Sequence, residues 1–465
     1  MNVQRCALRR RNYYTVMSLI LALLPPVLLS IPVNATTIPP LHNDALVVSQ
    51  PTPEESQAMD LRTRFGFDND LLYIRSLEDS TSSTSTVELG IPLTASETAE
   101  MTRRREAGLV IGKIEHQFSA LADYAGAWMD QAHGGIVVVA FTDKSESTER
   151  LAAIAAIMPK GSPFQVTDAT YSFDTLNQMY EKISADQAAD TKLQALHIVQ
   201  SAIDTQNNRI LVAVDKNAPA DAEQAIATRY NFAGIVVSRG NMPTSSSSRD
   251  IRSGRTYGGL WTTDGSENCT IGYSDAKSTT EQTYSLTAGH CGPNGSTWIQ
   301  GLGGSRTIGQ VHANSTYGRS STNCDCAPVG GLASGFGTSG AYITAGSVRL
   351  LTAAQTSPYQ NEALCQFGAA SVDRWGGIQC GNVAFASSTI TEGGSPSGTF
   401  TLTDALQSNV RSTAGDSGGT YVDGNYLLAI QSATGDPNGV GGWVTWASKP
   451  ANFGTAGIHL AFAGV

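Results

Sequence analysis

Apolar and polar positions follow two different patterns along the chain, and the change between them falls near residue 250. From about 100 to 240, apolar runs suited to buried strands alternate with segments at helical spacing. Ile136-Val137-Val138-Val139-Ala140 is such a run. A helix follows it with Leu151, Ile154 and Ile157 on one face, stopped by Pro159. The pattern recurs: Arg209–Val214 predicts a second strand, then come Asp215-Lys216 and a helix through Ala222–Ala227. Asp143-Lys144 stands at the same place after the first strand, which points to an internal repeat. Ahead of these, residues 36–100 are polar and rich in Ser, Thr and Pro, a leader with some helix whose acidic pair Glu54-Glu55 reads as solvated. After the flexible stretch Ser245–Arg249, segments become short, rich in Thr, Val and Tyr, and separated by glycine turns. Tyr284–Thr287, Arg306–His312 and Thr399–Thr403 are predicted strands, and Asp423-Gly424 predicts a tight hairpin between Thr420–Val422 and Asn425–Ala429. Many short strands without long helices predict an all-β barrel or sandwich in the second half, preceded by an α+β first half.

Composition sharpens this division. The 465 residues allow two or three domains at roughly 150 residues each, and 41% hydrophobic content suffices for buried cores. Of the 47 glycines, 37 follow residue 250, where Lys277 and Lys449 are the only lysines. A formal charge of −10 argues against a general nucleic-acid binder, which needs a basic face. At the amino terminus Arg5, Arg9, Arg10 and Arg11 precede an apolar run over 16–31, and Val33-Asn34-Ala35 fits a small-residue cleavage site. The run is short for a membrane span and is broken by Pro25-Pro26, so residues 1–35 read as an export signal rather than an anchor. No stable membrane association is expected. Export gives the cysteines their meaning. Cys6 leaves with the signal, and Cys269, Cys291, Cys324, Cys326, Cys365 and Cys380 all lie in the glycine-rich half. In an oxidising compartment these six read as bridges rather than zinc ligands, since no CxxC pair occurs.

Two motifs of the second half carry chemistry. Thr287-Ala288-Gly289-His290-Cys291 ends a predicted strand, and Gly415-Asp416-Ser417-Gly418-Gly419 precedes the predicted hairpin. A serine hydroxyl is a poor nucleophile at neutral pH, so acyl transfer needs a base within hydrogen-bond reach and a carboxylate to orient that base. His290 and Ser417 supply two of those roles. The small residues beside them let a substrate backbone approach, and the turn at Gly415–Ser417 can aim backbone N–H groups at a developing oxyanion.

With these motifs the chain resembles the chymotrypsin-fold serine endopeptidases, in particular the streptogrisin and α-lytic protease branch with its large amino-terminal pro-region. The resemblance covers about 120–465. It rests also on Leu364-Cys365 through Cys380-Gly381, on Cys269-Thr270-Ile271-Gly272-Tyr273, and on Ala127-Trp128-Met129-Asp130-Gln131, which is similar to that branch's pro-regions. It implies a signal at 1–35, a pro-region at 36–249 that aids folding and inhibits the product, and a protease domain at 250–465 of two packed antiparallel β-barrels with the active site between them. It implies His290 as general base, Ser417 as nucleophile, the amides of Gly415 and Ser417 as oxyanion hole, and Ser432 as the residue whose backbone pairs with substrate. Asp325, in Asp325-Cys326-Ala327-Pro328-Val329, resembles the branch's Asp–x–Ala pattern and is the expected acid, although Asp373 and Asp404 lie in the same interval. The implied bridges are Cys269–Cys291 and Cys365–Cys380. Cys324 and Cys326 are left as a bond between near neighbours, free thiols, or bonds outside the chain. A monomer acting on peptide or protein substrate follows, with no metal or organic cofactor.

The chain departs from the branch in three places. Arg411 stands in a region where a cysteine is common. Gln366 replaces an arginine that would balance Asp416, so that carboxylate needs Arg411, Arg374 or hydrogen bonds alone. Thr434 replaces a glycine of the pocket wall. Val410 and Thr434 imply small or medium apolar side chains before the scissile bond, whereas Arg411 pointing inward implies an acidic one. His312 and His459 read as ordinary histidines, Trp443 and Trp446 as core, and Asn268, Asn294 and Asn314 as glycosylation sequons. A catalytically silent binding module and an esterase using the same residues are the competing functions.

Overall fold

The computed structural model describes residues 49–78, 91–143, 148–189, 196–240, 256–278, 281–302, 306–331, 337–344, 347–375, 378–395, 397–435 and 444–462. By internal contacts the chain forms two compact units, Met1–Gln50 and Pro51–Val465, and nearly every described residue belongs to the second. The expected export signal, the Ser245–Arg249 boundary, Lys144 and Trp443 lie outside the described residues.

The first part opens with helices set by their caps. Pro53–Arg64 starts with Pro53 and a capping box in which Glu55 N–H donates to Thr52 Oγ1 at 3.2 Å and Thr52 N–H donates to Glu55 Oε2 at 2.7 Å. Glu55 is buried and also pairs with Arg75 of helix Leu71–Glu78 at 2.6 Å, so it is a structural acid rather than a solvated one. Helix Ala95–Gly108 repeats the box with Thr94 and Glu97.

The internal repeat takes the form of two ββαβ units. In the first, Tyr124–Asp130 pairs antiparallel with Ile136–Phe141, helix Thr148–Ile157 crosses over, and Phe164–Asp168 returns parallel. In the second, Ile198–Asp204 pairs antiparallel with Arg209–Asp215, helix Ala222–Tyr230 crosses over, and Ile235–Gly240 returns parallel. Each unit has its own apolar core. Val137, Val139, Phe141 and Ile154 belong to one, and Ile210, Val212, Val214 and Ile226 to the other.

The second part consists of two antiparallel β-barrels. The first sheet runs in the order Ile458–Leu460, Tyr273–Ser278, Thr283–Thr287, Ala327–Gly330, Thr307–Val311, Thr297–Gln300, Trp261–Thr263, Asn268–Thr270. It curls shut because Ile271 N–H donates to Leu260 O while Gly272 N–H donates to Leu286 O. Trp298, Ile308, Val311 and Val329 fill it. The second barrel is a ring of six strands: Ala363–Phe367, Gln379–Ser395, Gly398–Ser408, Val444–Ser448, Tyr426–Gly435 and Thr420–Asp423. Leu364, Val383, Leu406, Tyr421 and Leu428 fill this one. Its tight hairpin turns at Gly424-Asn425, since Asp423 already pairs with Tyr426, one residue later than the sequence suggests. Helix Ala369–Trp375 is the second part's one α-helix among the described residues.

The two parts share a sheet. Gln379–Ser395 and Gly398–Ser408 form a long hairpin in the second barrel, and strand Ile198–Asp204 adds to its outer edge through Ser388–Ala202, Thr389–Ser201 and Ile390–Gln200. Strand addition satisfies backbone groups that an exposed edge would leave to water. Side chains reinforce it: Tyr180 Oη and Ser184 Oγ lie 2.9 and 2.8 Å from Thr389 Oγ1, and Gln187 donates to Thr391 Oγ1 at 3.1 Å. A second contact area links Arg105 to Asp423 at 2.6 Å and Asn361 Nδ2 to Met129 O at 2.9 Å.

Candidate active site

His290 lies in the 3-10 turn Gly289–Cys291 that ends a strand of the first barrel, where the Cys269–Cys291 disulfide holds the turn to its neighbour. Asn314 fixes the turn from the other side. Its Nδ2 donates to Gly289 O and Gly292 O, each at 2.6 Å, while its Oδ1 accepts the N–H groups of Thr316 and Tyr317 at 2.8 and 3.0 Å. The sequon at Asn314 is therefore structural: the side chain is buried and the nitrogen that would carry a glycan is already engaged. Asn314→Ala orphans four backbone groups, an expected loss on the order of 3 kcal/mol in unfolding free energy, measurable by urea denaturation.

Asp325 stands just before strand Ala327–Gly330, in the loop closed by a Cys324–Cys326 bond. That settles the cysteine pair as a bond between near neighbours, and Cys365–Cys380 is bonded as well. Asp325 Oδ2 accepts from His290 Nδ1 at 2.6 Å, and Asp325 Oδ1 accepts His290 N–H and Thr316 Oγ1 at 2.8 Å each. Ser432 Oγ donates to Oδ2 at 2.5 Å, and Asp325 N–H donates to Ser448 Oγ at 2.8 Å. Asp404 is elsewhere, half-exposed and paired with Lys449 at 2.6 Å, and the side chain of Asp373 is outside the described residues.

Ser417 sits on a turn whose Gly415 and Gly418 adopt φ of +102° and +88°. A Cβ at Gly418 would collide with Thr270 O, so only glycine lets the turn close on the first barrel. Thr270 ties the turn down: its Oγ1 donates to Gly415 O at 2.6 Å, and its N–H donates to Ser417 O at 2.7 Å. Ser417 Oγ donates to Ser432 O at 3.3 Å, and His290 Nε2 is buried with no hydrogen-bond partner among the described residues. Asp416 is held by the N–H groups of Ala370, Ser371 and Thr413 at 2.8, 3.0 and 3.0 Å and by Ser412 Oγ at 3.0 Å, neutral donors where the sequence suggests an arginine. Gln366 joins this support through Gln431, which donates to the same Ser412 hydroxyl. Arg374 donates to Thr413 Oγ1 at 2.9 Å, and Arg411 is half-buried. Val410 lies in the second-barrel core, and Thr434 is buried at the strand position that pairs with Thr445.

A residue with no sequence signal completes the cluster. Glu392, fully buried on the long hairpin, places Oε1 3.5 Å from His290 Nδ1 and Oε2 2.9 Å from Ser432 Oγ. Phe400, its register partner across the hairpin, stacks on the His290 ring with centroids 6.5 Å apart. Burial opposes the imidazolium, but the charges of Asp325 and Glu392 outweigh it and push His290 up to about 9. Burial pushes Glu392 up to about 7, against the attraction of His290. Burial also works to raise Asp325, yet the charge and hydrogen bond of His290, with Ser432 and Thr316, hold it below its usual range. Donor atoms of His290, Asp325 and Glu392 lie within 4.8 Å of one another, close enough to share a proton or a cation; Cys269 and Cys291, also near His290, are consumed by their disulfide.

No family model matches the chain. Streptogrisin-C of Streptomyces griseus is 25% identical over 350 residues, which are 74% of this chain and 66% of that protein, so the chain spans just under two thirds of its length. Serine protease 2 of Streptomyces fradiae is 27% identical over 168 residues, 36% of this chain and 87% of that protein. Among solved structures, Thermobifida fusca Protease A matches at 23% identity and a TM-score of 0.36, covering 45% of this chain and 100% of its own. The 350-residue match is longer than the β part alone and so reaches into the α+β part. With the two barrels and the histidine and serine motifs, these sequence relatives make the chain similar to chymotrypsin-fold serine proteases of the streptogrisin branch.

Proposed function

We propose that this chain is the exported precursor of a monomeric serine endopeptidase that cuts peptide bonds through Ser417, His290 and Asp325. The observation that carries the reading is the 2.6 Å bond from His290 Nδ1 to Asp325 in a buried site that also holds a glycine-flanked serine. With Nδ1–H given to Asp325, the lone pair of Nε2 is free to accept a proton. In this geometry Ser417 Oγ is turned to Ser432 O, so rotation of that hydroxyl toward Nε2 is the step that arms it. His290 then takes the proton as Oγ attacks the substrate carbonyl, and the amides of Gly415 and Ser417 hold the oxyanion. His290 next protonates the leaving amine, and water repeats the cycle on the acyl-enzyme. Substrate backbone would pair at Ser432, with Val410, Arg411 and Thr434 shaping the pocket.

His290 and Ser417 are each 1% exposed and Asp325 0%, so all three side chains are withdrawn from solvent in this geometry. This supports a latent precursor in which residues 36–249 act as folding aid and intramolecular inhibitor until cleavage near 243–253. The strand that the α+β part lends to the second barrel supports the folding role, because it pairs an edge that would otherwise stay open. The amino-terminal signal and three bridges support export, and among the described residues no helix is long and apolar enough to cross a membrane.

The test is a fluorophosphonate probe on the secreted product, with intact mass and mapping of the labelled peptide. Stoichiometric label on Ser417, on a chain beginning near Asp250 and lost in Ser417→Ala, is the expected result. A folded, processed chain that takes no label would be a silent binding module. Hydrolysis of small esters but not of casein would make it an esterase.

A further inference from the structure

We propose that Glu392 is a positioning residue of this active site, its carboxyl acting through the Ser432 hydroxyl on Asp325 and His290. The inference rests on the catalytic reading above and deepens it. Glu392 has no place in the sequence motifs, yet it is fully buried and aimed at the imidazole, and its Oε1 has no hydrogen-bond partner among the described residues. A carboxyl buried without compensation is costly, and the compensation available here is the charge of His290 and the hydroxyl of Ser432.

Proton counting defines the role. Ser432 Oγ lies 2.5 Å from Asp325 Oδ2 and 2.9 Å from Glu392 Oε2, but a hydroxyl has one proton to give. If that proton goes to Asp325 at the shorter distance, the second bond needs a proton on Glu392. The chain is then Glu392 O–H to Ser432 Oγ, Ser432 O–H to Asp325 Oδ2, with His290 Nδ1–H on the same carboxylate. Protonated Glu392 thus locks the hydroxyl that locks Asp325. Ionised Glu392 leaves Ser432 between two carboxylates and encloses His290 in a second negative charge, which holds the base in its protonated, idle form. The titratable groups facing Glu392 are His290 and Asp325, with Glu267 acting on His290 from further off. Gln200–Ala202, on the strand beside Ile390, and Phe400 across the hairpin bring no charge.

Glutamine keeps an N–H for Ser432 and removes the ionisation, whereas methionine removes both. In the secreted product of the full-length chain, Glu392→Gln is expected to retain kcat within about threefold and KM unchanged. It should also move the acidic limb of kcat/KM down by about one pH unit, making it a single-proton limb. Glu392→Met should lose about tenfold in kcat at the same KM, the effect of one lost hydrogen bond. A limb that stays in place in Glu392→Gln, or equal kcat in the two variants, overturns the proposal. Nitrogen-15 NMR of histidine-labelled wild-type product needs no variant: His290 should titrate with two inflections, and a single one overturns the coupling. Wild type that takes no probe at Ser417 would sink the catalytic reading itself. Wild type that is labelled and active, beside a Glu392→Gln limb that does not move, would sink only this inference.

Discussion

Asp325→Asn is expected to lower kcat by about ten-thousandfold at pH 7 with little change in KM. The physical reason is the tautomer. Asp325 Oδ2 accepts the Nδ1 proton at 2.6 Å, which leaves Nε2 as the acceptor that the serine needs. The carboxamide introduced by Asp325→Asn can meet the ring with an N–H donor, and Nδ1 then becomes the acceptor while Nε2 carries the proton and faces Ser417 with nothing to accept. Oδ1 of the aspartate also takes His290 N–H and Thr316 Oγ1, so the ring stays in place and substrate binding is spared. Glu392, at 3.5 Å from Nδ1, is too far to fix the tautomer in its stead. Asp404→Asn is the control, since that side chain is half-exposed and bound to Lys449, and its activity should stay within a few-fold of wild type. Full activity in Asp325→Asn, or an equal loss in Asp404→Asn, would remove Asp325 from its role.

Asp325 is legible in the sequence because its signal is local: an aspartate between two cysteines at the start of a strand, with a histidine motif upstream. The repeat is legible for the same reason, since Ile136–Ala140 and Arg209–Val214 are each short apolar runs followed by a helical period. Glu392 shows where such reading stops. It sits in Thr391-Glu392-Gly393-Gly394, a stretch with no motif, and reaches His290 only because the hairpin's pairing sets Glu392 opposite Phe400 and the ring of six strands carries that pair to the base. A position fixed by strand register between distant segments leaves no trace in local spacing. The support of Asp416 is similar. Gln366 signals a missing arginine, but four neutral donors from Ala370, Ser371, Thr413 and Ser412 become visible only once helix Ala369–Trp375 is folded against the turn. The resemblance makes Val410 a pocket residue, and its packing against the barrel core is visible only in the fold.

The full-length Ser417→Ala chain is expected to lose stability as pH rises from about 5 to 9, with a fall on the order of 3 kcal/mol in unfolding free energy by urea titration. The sign follows from the direction of the shifts. A carboxyl raised by burial binds its proton more tightly folded than unfolded, so its contribution is present below the ordinary value of 4.5 and fades as pH rises through the folded one. Glu392 and Glu115 fade through about 7, and Glu362, also raised by burial, follows the same direction. His290, raised to about 9, contributes fully below 6.5 and loses that contribution as pH passes 9. Because Glu392 and His290 share one cluster, their effects count once rather than twice. Acids with the opposite shift act in a different window: Glu100, lowered to about 2 by Arg103 and Arg104, weakens the fold only at strongly acid pH. Adding Glu392→Gln should flatten the slope between pH 5 and 7, and a Ser417→Ala midpoint that holds steady or rises there would refute the assignment of these protons. Two of the groups lie between the α+β part and the barrels: Glu115 lines a cavity with Tyr359, Ser387 and Lys449, and Glu362 sits near Asp423, the partner of Arg105. The part of the loss that they carry therefore falls on the contact between the α+β part and the barrels, so the pH that weakens the fold also loosens that contact.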